Sequence, residues 1–140
     1  MTVLIDTNIL LVSVSPKSPK HWVYKKFLDK EYSLVVSTEI FLEYEEILGS
    51  YMNRETAETT AKAIANAPNT VLITKWFVWN LIKADPDDNK FVDACIAAGA
   101  DYIVTEDAHF KELRNIPFPP VKVIGLAEFK RLLDGENNNR

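Results

Sequence analysis

The sequence predicts an α/β domain with a central, mainly parallel sheet of about five strands. Five short runs rich in Val, Ile and Leu are spaced along the chain. The runs are continuously apolar rather than alternating, which is typical of strands buried on both faces of a sheet. Helix-like segments lie between them, and parallel strands need such crossover connections. The predicted strands are TVLI (2–5), SLVV (33–36), TVLIT (70–74), DYIVT (101–105) and VKVI (121–124).

The connecting segments carry helix signals of their own. Apolar residues at helical spacing predict a helix over Thr38–Tyr51. Asn53 is suited to cap the next helix, which must end before Pro68. A third helix follows the acidic DPDD block and ends at Gly99. Two further helices are expected in SPKHWVYKKFLDK (18–30) and LAEFKRLL (126–133).

Length and composition indicate one domain in a reducing, cytoplasmic setting. The 140 residues suit a single domain, which we assign to 1–134, with GENNNR (135–140) as a disordered tail. A lone cysteine, Cys95, cannot form an internal disulfide. No apolar stretch approaches the roughly 20 residues of a membrane span. The net charge of −4 argues against a protein that holds nucleic acid through its overall field.

Carboxylates follow several of the predicted strands. Asp6 comes directly after the first strand, and Glu43 lies one turn into the helix after the second. The DPDD block (85–88) lies beyond the third strand, and Asp107 follows the fourth. The carboxyl ends of parallel strands share one edge of the sheet, where ligands bind in such folds. Carboxylates gathered there repel one another, and a hard divalent cation relieves the repulsion, so the pattern favours Mg²⁺ or Mn²⁺.

Each carboxylate also has an interpretation without a metal. Asp6 is suited to cap a short helix, and the aspartates of DPDD would favour the dipole of the helix they precede. Asp107 would also fit an ordinary turn. Glu43 borders the apolar stripe of its helix, but Glu45 borders the other side, and the helical pattern does not choose between them. The metal hypothesis therefore rests on the shared location of these carboxylates. Residues that only cap separate helices need not all lie at the same edge of the sheet.

Local basic and aromatic residues are candidate contacts for a nucleic acid. Lys17, Lys20 and Lys90 are candidates for phosphate binding, although lysines on solvated helix faces are common. The run KWFVW (75–79) suits base stacking, but core or interface packing is the commoner role of such runs. His109 is a candidate general acid near Asp107, but its place in a turn argues against that role.

Four segments together resemble the PIN domain family, the nuclease fold of many toxins of toxin–antitoxin pairs. They are LIDTNIL (4–10), STEIFLEYEEIL (37–48), DPDDNKFVDACIAAGADYIVTED (85–107) and VKVIGLAEF (121–129). The resemblance implies a three-layer α/β/α domain and a Mg²⁺- or Mn²⁺-dependent ribonuclease that hydrolyses RNA phosphodiester bonds. It also implies a cognate antitoxin, and a homodimer is expected. Leu42 projects from the polar side of its predicted helix, which makes it a candidate contact for a dimer or for the antitoxin. DTN or TED alone would be weak evidence.

By this resemblance the acidic metal positions of the family correspond to Asp6, Glu43, Asp88 and Asp107. The supporting polar positions correspond to Asn8 and Thr105. In the narrower VapC-like pattern an aspartate immediately precedes the small-residue helix, which makes Asp93 the alternate to Asp88. Glu106 stands where the closest bacterial subgroup often has glycine, and its role is open.

Two competing hypotheses remain. A PIN-like module with an inactive site would bind partners without cleaving RNA. A receiver-like domain would use Asp6 as a phosphoryl acceptor, but the chain lacks a DxD pattern after its first strand. The RNA target, the cleavage sequence, endonuclease or exonuclease action, and the number of metal ions are all left open by the sequence.

Overall fold

A five-stranded sheet, parallel throughout, forms the centre of the protein. The computed structural model describes residues 1–74, 79, 81–82, 86–117 and 119–138. The strands are β1 Thr2–Ile5, β2 Ser33–Ser37, β3 Thr70–Ile73, β4 Tyr102–Val104 and β5 Val123–Ile124. Their spatial order is β3-β2-β1-β4-β5. The predicted α/β class with a parallel central sheet is confirmed, and every predicted strand overlaps an observed one.

Six α-helices in the described part of the chain connect the strands or follow them. They are α1 Thr7–Ser13, α2 Trp22–Leu28, α3 Thr38–Tyr51, α4 Arg54–Asn66, α5 Asn89–Ala98 and α6 Leu126–Asn138. Two 3₁₀ segments, Pro86–Asp88 and Ala108–Asn115, precede α5 and β5. The α2 helix is shorter than the segment 18–30 that the sequence predicts. Turns replace its first part, where the hydroxyls of Ser15 and Ser18 accept the amides two residues later.

Local capping signals define the ends of the longer helices. The Ser37 hydroxyl accepts the Ile40 amide at the start of α3, and the Asn53 side chain accepts the Thr56 amide at 2.7 Å at the start of α4. Gly99 ends α5 with a φ of 60°, a left-handed conformation that glycine adopts without steric cost. These ends agree with the sequence prediction. The α6 helix continues to Asn138, so residues 135–138 are helical where the sequence predicts a disordered tail.

The sheet topology creates a crevice between β1 and β4. Strands β2 and β3 lie in sequence order on one side of β1. The chain then crosses back over the sheet through α5, and β4 and β5 lie in sequence order on the other side of β1. Right-handed crossovers in opposite directions lie on opposite faces of a sheet. Helices α1 to α4 therefore cover one face, and α5 covers the other. The reversal of strand order next to β1 marks the edge where ligands bind in such sheets.

The core is apolar and continuous across the sheet. Val3, Leu4 and Ile5 of β1 are fully buried, as are Ile103 and Val104 of β4. Because these strands are buried on both faces of the sheet, their sequences are continuously apolar. Within the described residues, no helix is long and apolar enough to cross a membrane.

Candidate active site

Asp6 and Thr105 meet where β1 and β4 end. Ile5 is paired with Val104 in the sheet, so the next residue of each strand lies at the same edge. The Asp6 amide continues the ladder by donating to the Val104 carbonyl at 3.0 Å. The Thr105 hydroxyl donates to Asp6 Oδ2 at 2.8 Å, and both side chains are buried. The parallel register thus holds a buried carboxylate in a fixed position.

Asp6 does more than cap a helix. It stands at the N-cap position of α1 without a capping hydrogen bond of good geometry, although the nearby Asn8 amide lowers its pKa. Burial raises the pKa of Asp6, and the carboxylates of Asp107 and Glu43 raise it further, while the Thr105 hydrogen bond acts in the opposite direction. A buried carboxylate that faces two others is unfavourable by itself. This is the electrostatic arrangement that a cation would relieve.

Thr105 also connects Asp6 to Asp107. Its hydroxyl oxygen accepts the Asp107 amide at 2.9 Å while its proton goes to Asp6. The Asp107 carboxylate in turn accepts the His109 amide at 2.9 Å and begins the 3₁₀ segment after β4. One buried hydroxyl therefore fixes the positions of both aspartates.

Glu43 approaches the site from α3. The Thr7 hydroxyl of α1 donates to Glu43 Oε2, and Lys90 Nζ lies 2.8 Å from Glu43 Oε1. On the same helix, Tyr44 is buried and its hydroxyl donates to the Ile5 carbonyl, which ties α3 to the end of β1. Glu45 is exposed on the other side of the helix. The packing of α1 against α3 thus selects Glu43 over Glu45 for the site.

Asp88 lies across from Asp107 and is linked to it by His109. His109 Nδ1 is 3.3 Å from Asp107 Oδ1 and 3.7 Å from Asp88 Oδ2. One ligand atom from each of these three residues lies within 4.8 Å of the others. Asp88 occupies the N-cap position of α5 without a capping side-chain hydrogen bond. Among the described residues this is the group that could hold a metal ion, and it includes neither Asp6 nor Glu43.

Asp93 holds the backbone of a neighbouring segment. It is buried on α5, and its Oδ1 accepts the Trp79 amide at 3.0 Å. One turn earlier, the buried Asn89 accepts the Ile82 amide and donates to the Ile82 carbonyl. These two side chains fix parts of the connection between β3 and α5. The part of KWFVW at 75–78 and Asp85 lie outside the described residues.

An open crevice of about 310 Å³ borders the carboxylates. Asp6 and Asp107 line it together with Asn8 and Lys20. Lys20 and Lys17 are exposed in the turns before α2. Lys90 differs from both because only 13% of its side chain is exposed, and its ammonium also donates to the Asp87 carbonyl at 2.6 Å. Two of the predicted phosphate-binding lysines therefore face solvent, and the third is part of the carboxylate cluster.

Sequence reasoning missed several contacts of the site. Thr7 holds Glu43, and Lys90 pairs with the same carboxylate. Glu106 accepts the Leu126 amide at 2.7 Å at the start of α6, which gives this residue a structural role. For His109 the sequence suggests only the role of a general acid, and the structure adds its contacts with Asp107 and Asp88. The proximity of His109 to Asp107 in the chain was the available signal, since a turn after a strand returns side chains to the strand end.

The donor set of the site suits a divalent cation. Carboxylate oxygens and one imidazole nitrogen are ordinary ligands of such ions. The charge is also suitable, because the two carboxylates can balance the two positive charges of the ion. The raised pKa of Asp6 is independent support, since burial and neighbouring carboxylates both disfavour its charge when no cation is near.

Comparisons with known proteins agree with this fold. The family model described as PIN domain matches residues 2–109. No curated protein matches the sequence significantly. A solved structure of VapBC2 from Rickettsia felis, bound to a DNA fragment from its promoter, contains a chain that is 14% identical with a TM-score of 0.62, covering 89% of this chain and 98% of that one.

VapC20 of Mycobacterium tuberculosis, described as a toxin that cleaves the sarcin-ricin loop, is a second structural match. It is 12% identical with a TM-score of 0.60, over 78% of this chain and 92% of that chain. At these identities the two structures establish similarity of fold alone. The family match spans most of the chain and includes the strand-end positions that carry Asp6 and Asp107. The chain belongs to the PIN domain family.

Proposed function

We propose that this protein is a metal-dependent ribonuclease that hydrolyses RNA phosphodiester bonds and acts as the toxin of a toxin–antitoxin pair. The observation that supports the proposal is that Asp107 and Glu43 lie close enough to raise the pKa of Asp6, while Asp88 lies close to Asp107. Membership of the PIN domain family supports a nuclease. The toxin role draws support from the two structural neighbours, one of which is described as an RNA-cleaving toxin.

The four carboxylates are the proposed ligands of Mg²⁺ or Mn²⁺, with Asp93 as the alternate to Asp88. A bound ion of this kind lowers the pKa of a coordinated water and stabilises negative charge on the scissile phosphate. The contact of Asp93 with the Trp79 amide favours Asp88 as the ligand. Asn8 and Thr105 are the proposed supporting polar residues, and Thr105 fits this role because it contacts both Asp6 and Asp107.

The residues around the crevice have separate proposed roles. Asp6 is buried, accepts the Thr105 hydroxyl and lines the crevice, which suits it to hold the ion close to the scissile phosphate. Lys20 lines the same crevice and would contact the RNA phosphate, with Lys17 nearby in the chain. Lys90 forms an ion pair with Glu43. We therefore propose that it mainly neutralises part of the negative charge of the carboxylate cluster, and that it contacts RNA only at the edge of this cluster.

Cleavage of total cellular RNA by the purified chain tests the proposal. We expect cleavage that requires Mg²⁺ or Mn²⁺, stops with EDTA and is abolished in Asp6→Asn. Glu43→Gln should also be inactive, whereas Glu45→Gln, an exposed change on the same helix, should cleave normally. Direct attack by water leaves 5′-phosphate and 3′-hydroxyl ends, so mapped fragments should ligate without prior treatment. Equal cleavage by Asp6→Asn and the unmodified chain would contradict the assigned site.

A PIN-like binding module without catalysis is the second candidate. The ion pair of Lys90 with Glu43 favours it, because an ammonium already neutralises part of the acidic cluster. Calorimetric titration with Mn²⁺ separates the two candidates. The nuclease should bind the ion in a manner that depends on Asp107, and the module should bind none.

The proposed partners are an RNA substrate, a cognate antitoxin and a second copy of the chain, in the cytoplasm. Expression of the chain should slow growth of a bacterial host, and co-expression of the protein encoded beside its gene should restore growth. Light scattering on the purified chain should give the mass of a dimer. Growth inhibition that persists in Asp6→Asn would contradict toxicity by RNA cleavage.

A further inference from the structure

We propose that the imidazole of His109 is a metal ligand together with the carboxylates of Asp88 and Asp107, and that this nitrogen makes the site prefer Mn²⁺ to Mg²⁺. The inference rests on the proposed function, since it concerns the ion that the nuclease uses. It adds a residue of a different chemical class to an otherwise all-oxygen donor set.

The turn after β4 positions the imidazole. Asp107 caps the 3₁₀ segment Ala108–Asn115 by accepting the His109 amide at 2.9 Å. A chain that turns so tightly directs the side chain two residues later back towards the capping carboxylate. His109 Nδ1 accordingly lies 3.3 Å from Asp107 Oδ1. The local turn therefore pairs these two ligand atoms without help from the rest of the fold.

Asp88 completes the group from the start of α5. Its Oδ2 lies 3.7 Å from His109 Nδ1, and the three ligand atoms are within 4.8 Å of one another. The side chains of Asp88 and Asp107 are 14% and 29% exposed, whereas that of His109 is 46% exposed. Two shielded carboxylates thus face an imidazole on the solvent side, which leaves a route for an ion to enter.

The separations suit ligands around a shared ion. A nitrogen and an oxygen 3.7 Å apart are beyond hydrogen-bond distance. Ligands about 2.1 Å from one ion are separated from their neighbours by roughly 3.0–3.4 Å in octahedral or tetrahedral geometry. The observed 3.3 Å and 3.7 Å are close to that range.

The nitrogen determines the metal preference. Mg²⁺ is bound in proteins by carboxylates, phosphates and water, whereas imidazole suits the transition metals. Replacing one oxygen ligand by His109 therefore costs Mg²⁺ more affinity than it costs Mn²⁺. Thr105 holds Asp107 beside Asp6, so an ion bound here would lie next to the Asp6 carboxylate.

Pulsed electron paramagnetic resonance of Mn²⁺ bound to the full chain tests the inference without relying on activity. The chain contains only two histidines, His21 and His109. His21 Nδ1 is 2.8 Å from the Ser13 carbonyl, which makes His21→Asn a matched control. We expect ¹⁴N coupling to Mn²⁺ in the unmodified chain and in His21→Asn, and its loss in His109→Asn and His109→Gln.

The same variants test whether His109 makes the site prefer Mn²⁺ to Mg²⁺. Mn²⁺ affinity should fall by about tenfold or more in His109→Asn, since even residues behind the ligands cost that much. Mg²⁺ affinity should change less, so Mg²⁺ should displace Mn²⁺ more readily from the variant. Circular dichroism should show an unchanged fold. Mn²⁺ binding without ¹⁴N coupling, and with unchanged affinity in His109→Asn, would overturn the inference and leave the nuclease proposal standing. Absence of Mn²⁺ binding to the unmodified chain would overturn both.

Discussion

Lys90 Nζ lies 2.8 Å from Glu43 Oε1, so the protein supplies one positive charge to its own carboxylate cluster. The lysine stem is largely buried, and its ammonium is 5.5 Å from the centre of the Phe91 ring. The Asp87 carbonyl accepts a second hydrogen bond from the same ammonium. Contacts with Glu43, the Asp87 carbonyl and the Phe91 ring fix the ammonium, and the ion pair is partly shielded from water. Such a pair is stronger than one on the exposed surface.

Lys90→Met should therefore destabilise the chain in EDTA. Methionine retains the apolar stem but leaves Glu43 facing Asp6 without a cation, and we expect a loss of about 1–2 kcal/mol in the free energy of unfolding. Urea denaturation measures the change. The double variant Lys90→Met, Glu43→Gln should recover part of the loss, because both charges are then absent. Equal stability of Lys90→Met and the unmodified chain would mean that the pair contributes nothing.

Asp6→Asn should change how stability depends on pH when no metal is present. The folded pKa of Asp6 is raised above 3.8, its ordinary value, mainly by burial. Within the window from 3.8 up to the raised pKa, the folded chain holds a proton that the unfolded chain has lost. Stability of the unmodified chain therefore falls as pH rises through this window and remains at the lower level above it.

The Asp6→Asn variant carries no charge at this position, so its stability should not show the decrease with rising pH that burial of Asp6 causes. In EDTA at neutral pH it should melt at a higher temperature than the unmodified chain, and the difference should disappear in acid below the window. Saturating Mn²⁺ should reverse the order, since binding to the folded state alone stabilises only the chain with an intact site. Melting curves over a pH series, with and without Mn²⁺, measure both effects. A variant less stable than the unmodified chain at every pH would contradict the assigned cost of burying Asp6.

The fold was predictable because its signals are local. Continuous apolar runs identify the strands, and Asn53 and Gly99 mark helix ends through their own hydrogen bonding and backbone conformation. The strand-end aspartates were predictable for a related reason, since parallel topology gathers such positions at one edge whatever the loops do. Asp6 and Thr105 meet because their strands are in register.

The remaining contacts depend on packing that no local pattern encodes. Glu43 and Glu45 are equivalent on the helical wheel, and the contacts of Glu43 with Thr7 and Lys90 on other helices separate them. Lys90 looks like a surface lysine in sequence, but α5 directs its ammonium towards Glu43. The pairing of His109 with Asp88 joins two segments whose relative position is set by α5 and β4 together.

Substitutions at Asp93 and Asp88 should have opposite effects. Asp93 is 2% exposed and accepts the Trp79 amide, so Asp93→Ala leaves a donor without its partner and should cost about 1–3 kcal/mol in the free energy of unfolding. Mn²⁺ affinity of this variant should remain close to that of the unmodified chain. Asp88→Ala should instead weaken Mn²⁺ binding strongly. Urea denaturation and calorimetric Mn²⁺ titration on both variants measure the contrast. Loss of Mn²⁺ binding in Asp93→Ala alone would identify Asp93 as the ligand.

Glu106→Ala should affect α6 and spare the metal site. Glu106 Oε1 accepts the Leu126 amide, one of the helix-terminal donors that has no partner within the helix. Losing this acceptor should cost about 0.5–2 kcal/mol in the free energy of unfolding, as for other residues that cap a helix N-terminus. Gly125→Ala should have a smaller effect, because a Cβ there would lie 3.1 Å from Glu106 Oε1, at the end of a flexible side chain that needs to move by only a few tenths of an ångström. Mn²⁺ titration should give unchanged affinity for both variants, and hydrogen exchange should show faster opening at the start of α6. If Glu106→Ala instead weakened Mn²⁺ binding with unchanged exchange in α6, the carboxylate would belong to the acidic site that it borders.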